Sequence, residues 1–338
     1  ITAIIFIIVL SVIVFVHELG HFIMAKRAGM RVEEFGFGFP PRLWGHKPKN
    51  SETTYSINWI PFGGFVKIQG EDPSSDEASE GVAVSFANKS FRASVSVVAA
   101  GVVMNFLFAI LLLIIVNFIG SKAEILVTQV TLNSPAQSAG LKVGDEIIGF
   151  ESVEAVQAYI FEHKGREIAI ALERGEVKLT PRTDPPPGEG ALGIVLAQTK
   201  AVDYSWYEAI GRGVKDAFVS FWAIVVSFSV LIKNLVLTGK AGFEVTGPVG
   251  IAVVTGQAAR LGFAYLLQFM AFISLNLAVI NLVPFPALDG GRLLFLIIEK
   301  IKGSPLPKRI EAGFNTVGFV LLIMLMVYVT FKDVVKFL

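Results

Sequence analysis

Residues 93–121 contain no charged side chain, and neither do residues 261–288 or 312–331. Residues 1–16 are also uncharged, with Thr2 and Ser11 as their only polar side chains. A helix of about 20 apolar residues crosses the roughly 30 Å of hydrocarbon in a bilayer. The three longer runs, of 29, 28 and 20 residues, meet that length, and the first does so once it is extended to Ala25. The chain therefore reads as a polytopic α-helical membrane protein with four spans, in keeping with a composition 53% hydrophobic and 17% charged. The first run is too long for a cleaved signal peptide and lacks a small-residue cleavage site, so a retained span is expected. A fifth uncharged stretch, residues 217–232, is only 16 residues long and lies between Lys215-Asp216 and Lys233-Asn234. It reads as an interfacial or buried amphipathic helix.

Basic residues orient the spans. Lys26, Arg27, Arg31, Arg42, Lys47 and Lys49 follow the first, and Lys89 and Arg92 precede the second. Arg292, Lys300, Lys302, Lys308 and Arg309 lie between the last two. Both loops read as cytoplasmic under the positive-inside rule. Four spans then place both termini and residues 122–215 outside, and parity leaves residues 217–232 on the outer leaflet. A net charge of +1 gives no electrostatic reason for a nucleic-acid partner.

Inside the first span stands His17-Glu18-Leu19-Gly20-His21. Side chains four apart on a helix are neighbours on one face. Such a pair of imidazoles can hold Zn²⁺ while the glutamate between them serves as general base. At about 1.5 Å per residue, His17 lies roughly 24 Å from Ile1 and roughly 14 Å from Lys26. The metal would then sit below the bilayer surface on the cytoplasmic side. Ionisable residues at that depth are costly and mark function.

Two histidines are too few, because catalytic zinc takes three protein ligands and keeps one position open. The chain has no cysteine, and His46 and His163 fall outside the spans. The third ligand should be a carboxylate, and Asp289 is the candidate. It follows Pro284 and Pro286, which break the helix. Gly290 and Gly291 come next and permit the backbone to turn it inward. Zinc held there would activate a water molecule, and Glu18 would move its proton.

Two segments outside the spans have content of their own. Residues 55–68 alternate around Pro61-Phe62-Gly63-Gly64 and read as a cytoplasmic, membrane-associated β-hairpin. Its Gly63, Gly64, Phe65, Val66 and Ile68 offer an edge that could take an extended chain by strand addition. Residues 70–81, acidic and rich in serine, read as a solvated flexible loop. Residues 122–199 alternate short β-rich runs, at 125–130, 147–150, 168–172 and 177–179, with turn signals. Their Ser134-Pro135-Ala136 and Ala139-Gly140-Leu141-Lys142-Val143-Gly144-Asp145-Glu146-Ile147 resemble the PDZ pattern, an α+β module that takes extended peptides.

Taken together, HELGH on the first span and Asn281-x-x-Pro284-x-Pro286-x-Leu288-Asp289-Gly290 late in the chain resemble the site-2 protease family of intramembrane zinc proteases. Gly101-x-x-x-Asn105 is similar to that family's second-span motif, with Gly101-Val102 where Gly-Pro is usual. Gly36-Phe37-Gly38 and residues 55–68 look like its membrane-associated β elements. The order of parts is similar to the bacterial RseP-type branch, with one PDZ domain in place of two. That resemblance implies the following layout. Residues 1–27 form the first span, 28–91 a cytoplasmic loop and 92–121 the second span. Residues 122–199 are an extracytoplasmic PDZ domain and 200–260 an amphipathic region. Residues 261–292 form the third span with the Asp289 motif, 293–311 a cytoplasmic loop and 312–338 the fourth span. It also implies a bacterial cytoplasmic membrane and regulated intramembrane proteolysis of single-span proteins already trimmed by another protease. Anti-sigma factors and remnant signal peptides are substrates of that kind. Peptide hydrolysis in hydrocarbon would draw its water from the zinc, and Asn105 or Asn281 would donate to the scissile carbonyl. Two other classes compete: a membrane-anchored zinc protease acting on soluble or misfolded chains, and a catalytically silent PDZ scaffold.

Overall fold

The computed structural model describes residues 1–71, 84–120, 124–198, 204–239 and 246–337. The acidic loop expected at residues 70–81 lies almost wholly outside them. In chain order the first elements are α1 (Thr2–Arg27), β1 (Val32–His46), β2 (Thr54–Ile68) and α2 (Phe91–Ile119). There follow β3 (Ile125–Val130), α3 (Pro135–Ser138), β4 (Glu146–Ile147), α4 (Val153–Glu162), β5 (Ile168–Leu172), β6 (Gly175–Leu179) and β7 (Ile194–Gln198). The rest is helical: α5 (Trp206–Thr238), α6 (Pro248–Leu261), α7 (Phe263–Leu282), α8 (Asp289–Lys302) and α9 (Lys308–Phe337). Two compact units result, one of residues 1–112, 215–252 and 270–338, the other of residues 113–214 and 253–269.

Among the described residues, five helices are long and apolar enough to cross a membrane: α1, α2, α5, α7 and most of α9. That is one more than expected, because the uncharged residues 217–232 lie inside a helix of 33 residues. The flanking charges do not stop it. It starts at Ser205, whose amide and hydroxyl both donate to the Glu208 carboxylate, and it runs to Gly239 at φ +67°. Residues 293–302, expected as loop, continue α8, which ends at Gly303 with φ +77°.

In the first unit, α1 is apolar all round and buries Val9, Ile13, His17, His21 and Ala25. Their spacing of four defines one inward stripe. Phe15 and Phe22 on α1 pack against Phe35 of β1 at ring distances of 5.2 and 4.7 Å. Ala25, Val32, Ile68, Val97 and Val98 share one buried cluster, with Leu293 and Leu296 of α8 against it. The strands are not the simple hairpin expected. Gly36 pairs with both Ser56 and Phe65, and Phe37 with both Ile57 and Gly64. The two arms of β2 are therefore separated by β1. The helix holds the connecting turn: Ser11 donates to the Pro61 carbonyl at 2.5 Å and accepts from the Gly63 amide at 3.3 Å. Trp44, Trp59 and Ile57 are left exposed on the sheet.

The second unit carries a five-stranded sheet of order β6-β5-β4-β3-β7. β5 alternates, burying Ile168, Ile170 and Leu172 against Val156 and Ile160 of α4. Ser152 caps α4 by accepting from the Ala155 amide. Asp145 fixes the turn before β4 through the Lys142 amide and two Arg174 nitrogens. Burial opposes its charge, yet the Arg174 and Lys142 bonds hold its carboxyl below the usual range. β7 is an edge strand, and a cavity of about 440 Å³ lies beside it, lined by Ile160, Phe161, Leu192, Ile194 and Leu196.

Candidate metal centre

His17 and His21 project from adjacent turns of α1, both buried, with their rings edge to face at 4.7 Å. Their Nε2 atoms are 3.1 Å apart. The Asp289 carboxylate closes the group, its Oδ2 lying 3.1 Å from His17 Nε2 and 3.4 Å from His21 Nε2. The three side chains offer ligand atoms that all lie within 4.8 Å of one another. Among the described residues this is the cluster of His, Asp and Glu side chains able to hold a metal ion. Two imidazole nitrogens and one carboxylate form a donor set suited to zinc, and three protein ligands leave a fourth position free.

Local sequence explains why these groups meet. α2 crosses α1 where neither helix has a side chain. A Cβ on Gly20 would strike the Ala100 carbonyl, and one on Gly101 would lie 2.5 Å from both His17 Cε1 and His21 Nε2. Small residues at such a crossing allow close backbone approach. That approach brings the Val97 carbonyl to His21, whose Nδ1–H donates to it at 2.8 Å and so leaves Nε2 as the free lone pair.

Asp289 is delivered by a broken segment. α7 ends at Leu282, Ala287 adopts φ +67°, and α8 begins at Asp289 itself. The two glycines act differently from the turning role expected of them. Neither has a positive φ; a Cβ on Gly290 would meet the Val283 carbonyl, and one on Gly291 the Phe285 carbonyl. They are needed because residues 283–285 pass directly over the first turn of α8. The Ala287 amide donates to Asn315 Oδ1 on α9 at 3.3 Å, which anchors the segment from behind.

The remaining expected residues are placed as follows. Glu18 is half-buried on α1, offset from the imidazole face by its position between them. Asn105 is fully buried, with Nδ2 3.3 Å from His17 Nδ1, so it touches the cluster. Asn281 is buried on the last turn of α7. Gly63, at the turn, is buried; in the outer arm of β2, residues 64–68, Gly64 and Ile68 are buried and Phe65 and Val66 half-buried. That arm pairs with β1 along one side.

Three contributors escaped the sequence reading. The Val97 carbonyl could not have been found, since any residue supplies one. Arg292 grips Glu71 through its carboxylate at 2.8 Å and its carbonyl at 2.5 Å, tying α8 to the chain after β2. Ser11 had a signal, being one of two polar side chains in sixteen residues.

Comparison with known proteins bears on the chemistry. Residues 5–325 match the model of peptidase family M50. A Clostridium perfringens protein whose name proposes a zinc metalloprotease is 37% identical over 96% of this chain and 96% of its own length. Zinc metalloprotease RasP of Geobacillus kaustophilus is 30% identical over 98% of this chain and 97% of its own. The regulator of sigma-W protease RasP of Bacillus subtilis is 30% identical over 98% of each.

Proposed function

This chain belongs to peptidase family M50, the site-2 protease family, and is a zinc metalloprotease; from that premise we propose that it hydrolyses peptide bonds inside the transmembrane segments of other membrane proteins. The observation that carries this reading is that His17 and His21, buried on a helix that follows a start of sixteen uncharged residues, meet the half-buried Asp289 of α8 in one cluster. His17 Nε2, His21 Nε2 and an Asp289 oxygen are assigned as the zinc ligands. Bound there, zinc would bring the pKa of a water molecule to about 7 and polarise a peptide carbonyl. Glu18 takes the proton from the attacking water and returns it to the leaving amine. Asn281 is assigned as a side-chain donor to the carbonyl.

A transmembrane helix pairs its own amides, so a bond within it opens only if other partners replace them. The outer arm of β2 offers such partners through main-chain groups that ignore side-chain identity. Ser11 sets that arm against α1 about 9 Å along the helix axis from His17. Proline at Val66 or Ile68 removes one edge donor. A backbone bond worth about 1 kcal/mol net, together with the distorted edge, should cost roughly tenfold in turnover while zinc content stays unchanged. Unimpaired cleavage by every single-proline variant from 64 to 68 would show that the arm does not hold substrate.

Residues 124–198 are read as a single PDZ module outside the membrane. The open edge of β7 and the apolar cavity beside α4 suit an extended peptide. On the charge distribution, α1, α2, α7 and α9 cross the bacterial cytoplasmic membrane and α5 lies along its outer leaflet, with both termini outside. Substrates are then single-span proteins first trimmed outside by another protease, as anti-sigma factors and remnant signal peptides are. One assay in lipid vesicles tests both parts. A trimmed single-span substrate should yield new ends inside its apolar segment, and the same span carrying a folded external domain should be cut far more slowly. New ends confined to the water-exposed flanks would contradict intramembrane cleavage. Equal rates for the two substrates would remove the size filter alone.

A further inference from the structure

We infer that Asn105 is a positioning residue that accepts a hydrogen bond from His17 Nδ1–H and so holds this imidazole in its ligating tautomer; the inference rests on the ligand assignment above. His21 displays the pattern that His17 must share. Its Nδ1 proton is taken by the Val97 carbonyl at 2.8 Å, and its Nε2 faces the cluster. His17 Nε2 faces the same cluster, 3.1 Å from both His21 Nε2 and Asp289 Oδ2. An imidazole that gives Nε2 to a metal carries its proton on Nδ1 and needs an acceptor there.

The group opposite His17 Nδ1 is the Asn105 amide nitrogen, at 3.3 Å. Two donors facing each other make no bond. Asn105 Oδ1, meanwhile, is buried without a hydrogen-bond partner, on a side chain with no exposure to solvent. The missing acceptor and the idle one belong to the same amide. Its oxygen and nitrogen are nearly the same size, and rotation by half a turn exchanges them. Turned that way, Oδ1 takes the His17 proton.

The surroundings fix the backbone that carries the amide. Ser274 on α7 is fully buried and donates to the Asn105 backbone carbonyl at 2.8 Å, pinning this turn of α2. Gly101, one turn earlier, lets α2 approach both imidazoles. Asn105 is thus held at the depth of His17 by contacts on both sides. Partners of this kind raise ligand basicity and fix ring orientation, and losing one costs about 10–100-fold in metal affinity.

The sign of the test separates this role from donation to substrate. Zinc affinity is measured by chelator competition on the purified full-length protein and its variants. Asn105→Leu should weaken binding about 10–100-fold, whereas Asn105→Asp, which keeps an acceptor, should bind zinc at least as tightly as wild type. A pure substrate donor predicts wild-type zinc affinity in both variants with turnover lost in both. Wild-type affinity in Asn105→Leu, or equal losses in Leu and Asp, would overturn the inference. If Asn105→Leu fails to fold, Asn105→Ala against Asn105→Asp makes the same comparison. His17→Ala is the control: if it leaves zinc affinity intact, the ligand assignment falls and this role with it. If it abolishes binding while the acceptor-free variants do not, the Asn105 role alone falls.

Discussion

Glu18→Gln is expected to leave one zinc bound per chain and to stop hydrolysis. Glu18 sits between the two histidines in sequence, but the helix turns it away from their shared face, and it is absent from the group of His17, His21 and Asp289. Removing its charge therefore takes away no ligand atom. The amide of glutamine has nearly the shape of the carboxylate and cannot accept a proton from water. Positioned proton transfer contributes about 10²–10⁴-fold to a reaction of this type, so turnover of a model membrane substrate should fall by at least about 10²-fold. The half-buried setting adds to the effect, since little bulk water is at hand to replace the base. Turnover within a few-fold of wild type would remove Glu18 from the role of general base. A parallel loss of zinc would instead show that it supports the metal.

Much of the centre was legible because helix geometry is rigid. Two histidines four apart on an uninterrupted apolar run must share a face, whatever surrounds them. Asp289 was legible by a different route. With no cysteine and the other two histidines outside the spans, few donors remained, and two prolines marked where the chain breaks near the right depth. The glycines were found for the wrong reason. Gly290 and Gly291 read as flexible hinges, whereas their task is to leave room for the carbonyls of Val283 and Phe285. Close approach is a property of two segments, and one segment's sequence does not reveal the other.

The same limit governs the strands. Alternation in residues 55–68 marks extended chain, but it cannot say that β1 lies between the two arms, because that depends on register with partners such as Gly36 for Ser56 and for Phe65, far along the chain. For α5 the signals were local and were outweighed by charge counting: Ser205 with Glu208 marks a start and Gly239 a stop. Charged side chains at the edge of an apolar run can reach water while the backbone stays helical, so the run underestimates the helix. In residues 124–198 the core strands β3 and β5 follow the expected runs, while α4 and β7 lacked a clear period of their own. The Val97 carbonyl and the tautomer it imposes on His21 belong to the backbone, where side-chain identity carries no information.

Removing Asp289 should have the other large effect. Two imidazoles on one helix would supply two neutral ligands, and the Asp289 oxygen, 3.1 and 3.4 Å from their Nε2 atoms, would bring the third ligand and the only negative charge among the three. Three protein ligands are the usual number for a catalytic zinc, and the third would come here from a helix 271 residues along the chain from Glu18. Asp289→Ala leaves both histidines on α1, and their contacts with Val97 and Asn105 do not involve it. The variant should therefore fold and lose metal rather than lose structure. The direct measurement is zinc per chain by elemental analysis of the purified wild type and Asp289→Ala, handled identically. One zinc per chain in the wild type and well under half in the variant is the predicted result; equal stoichiometry in the two proteins would contradict the assignment of His17, His21 and Asp289 as the zinc site.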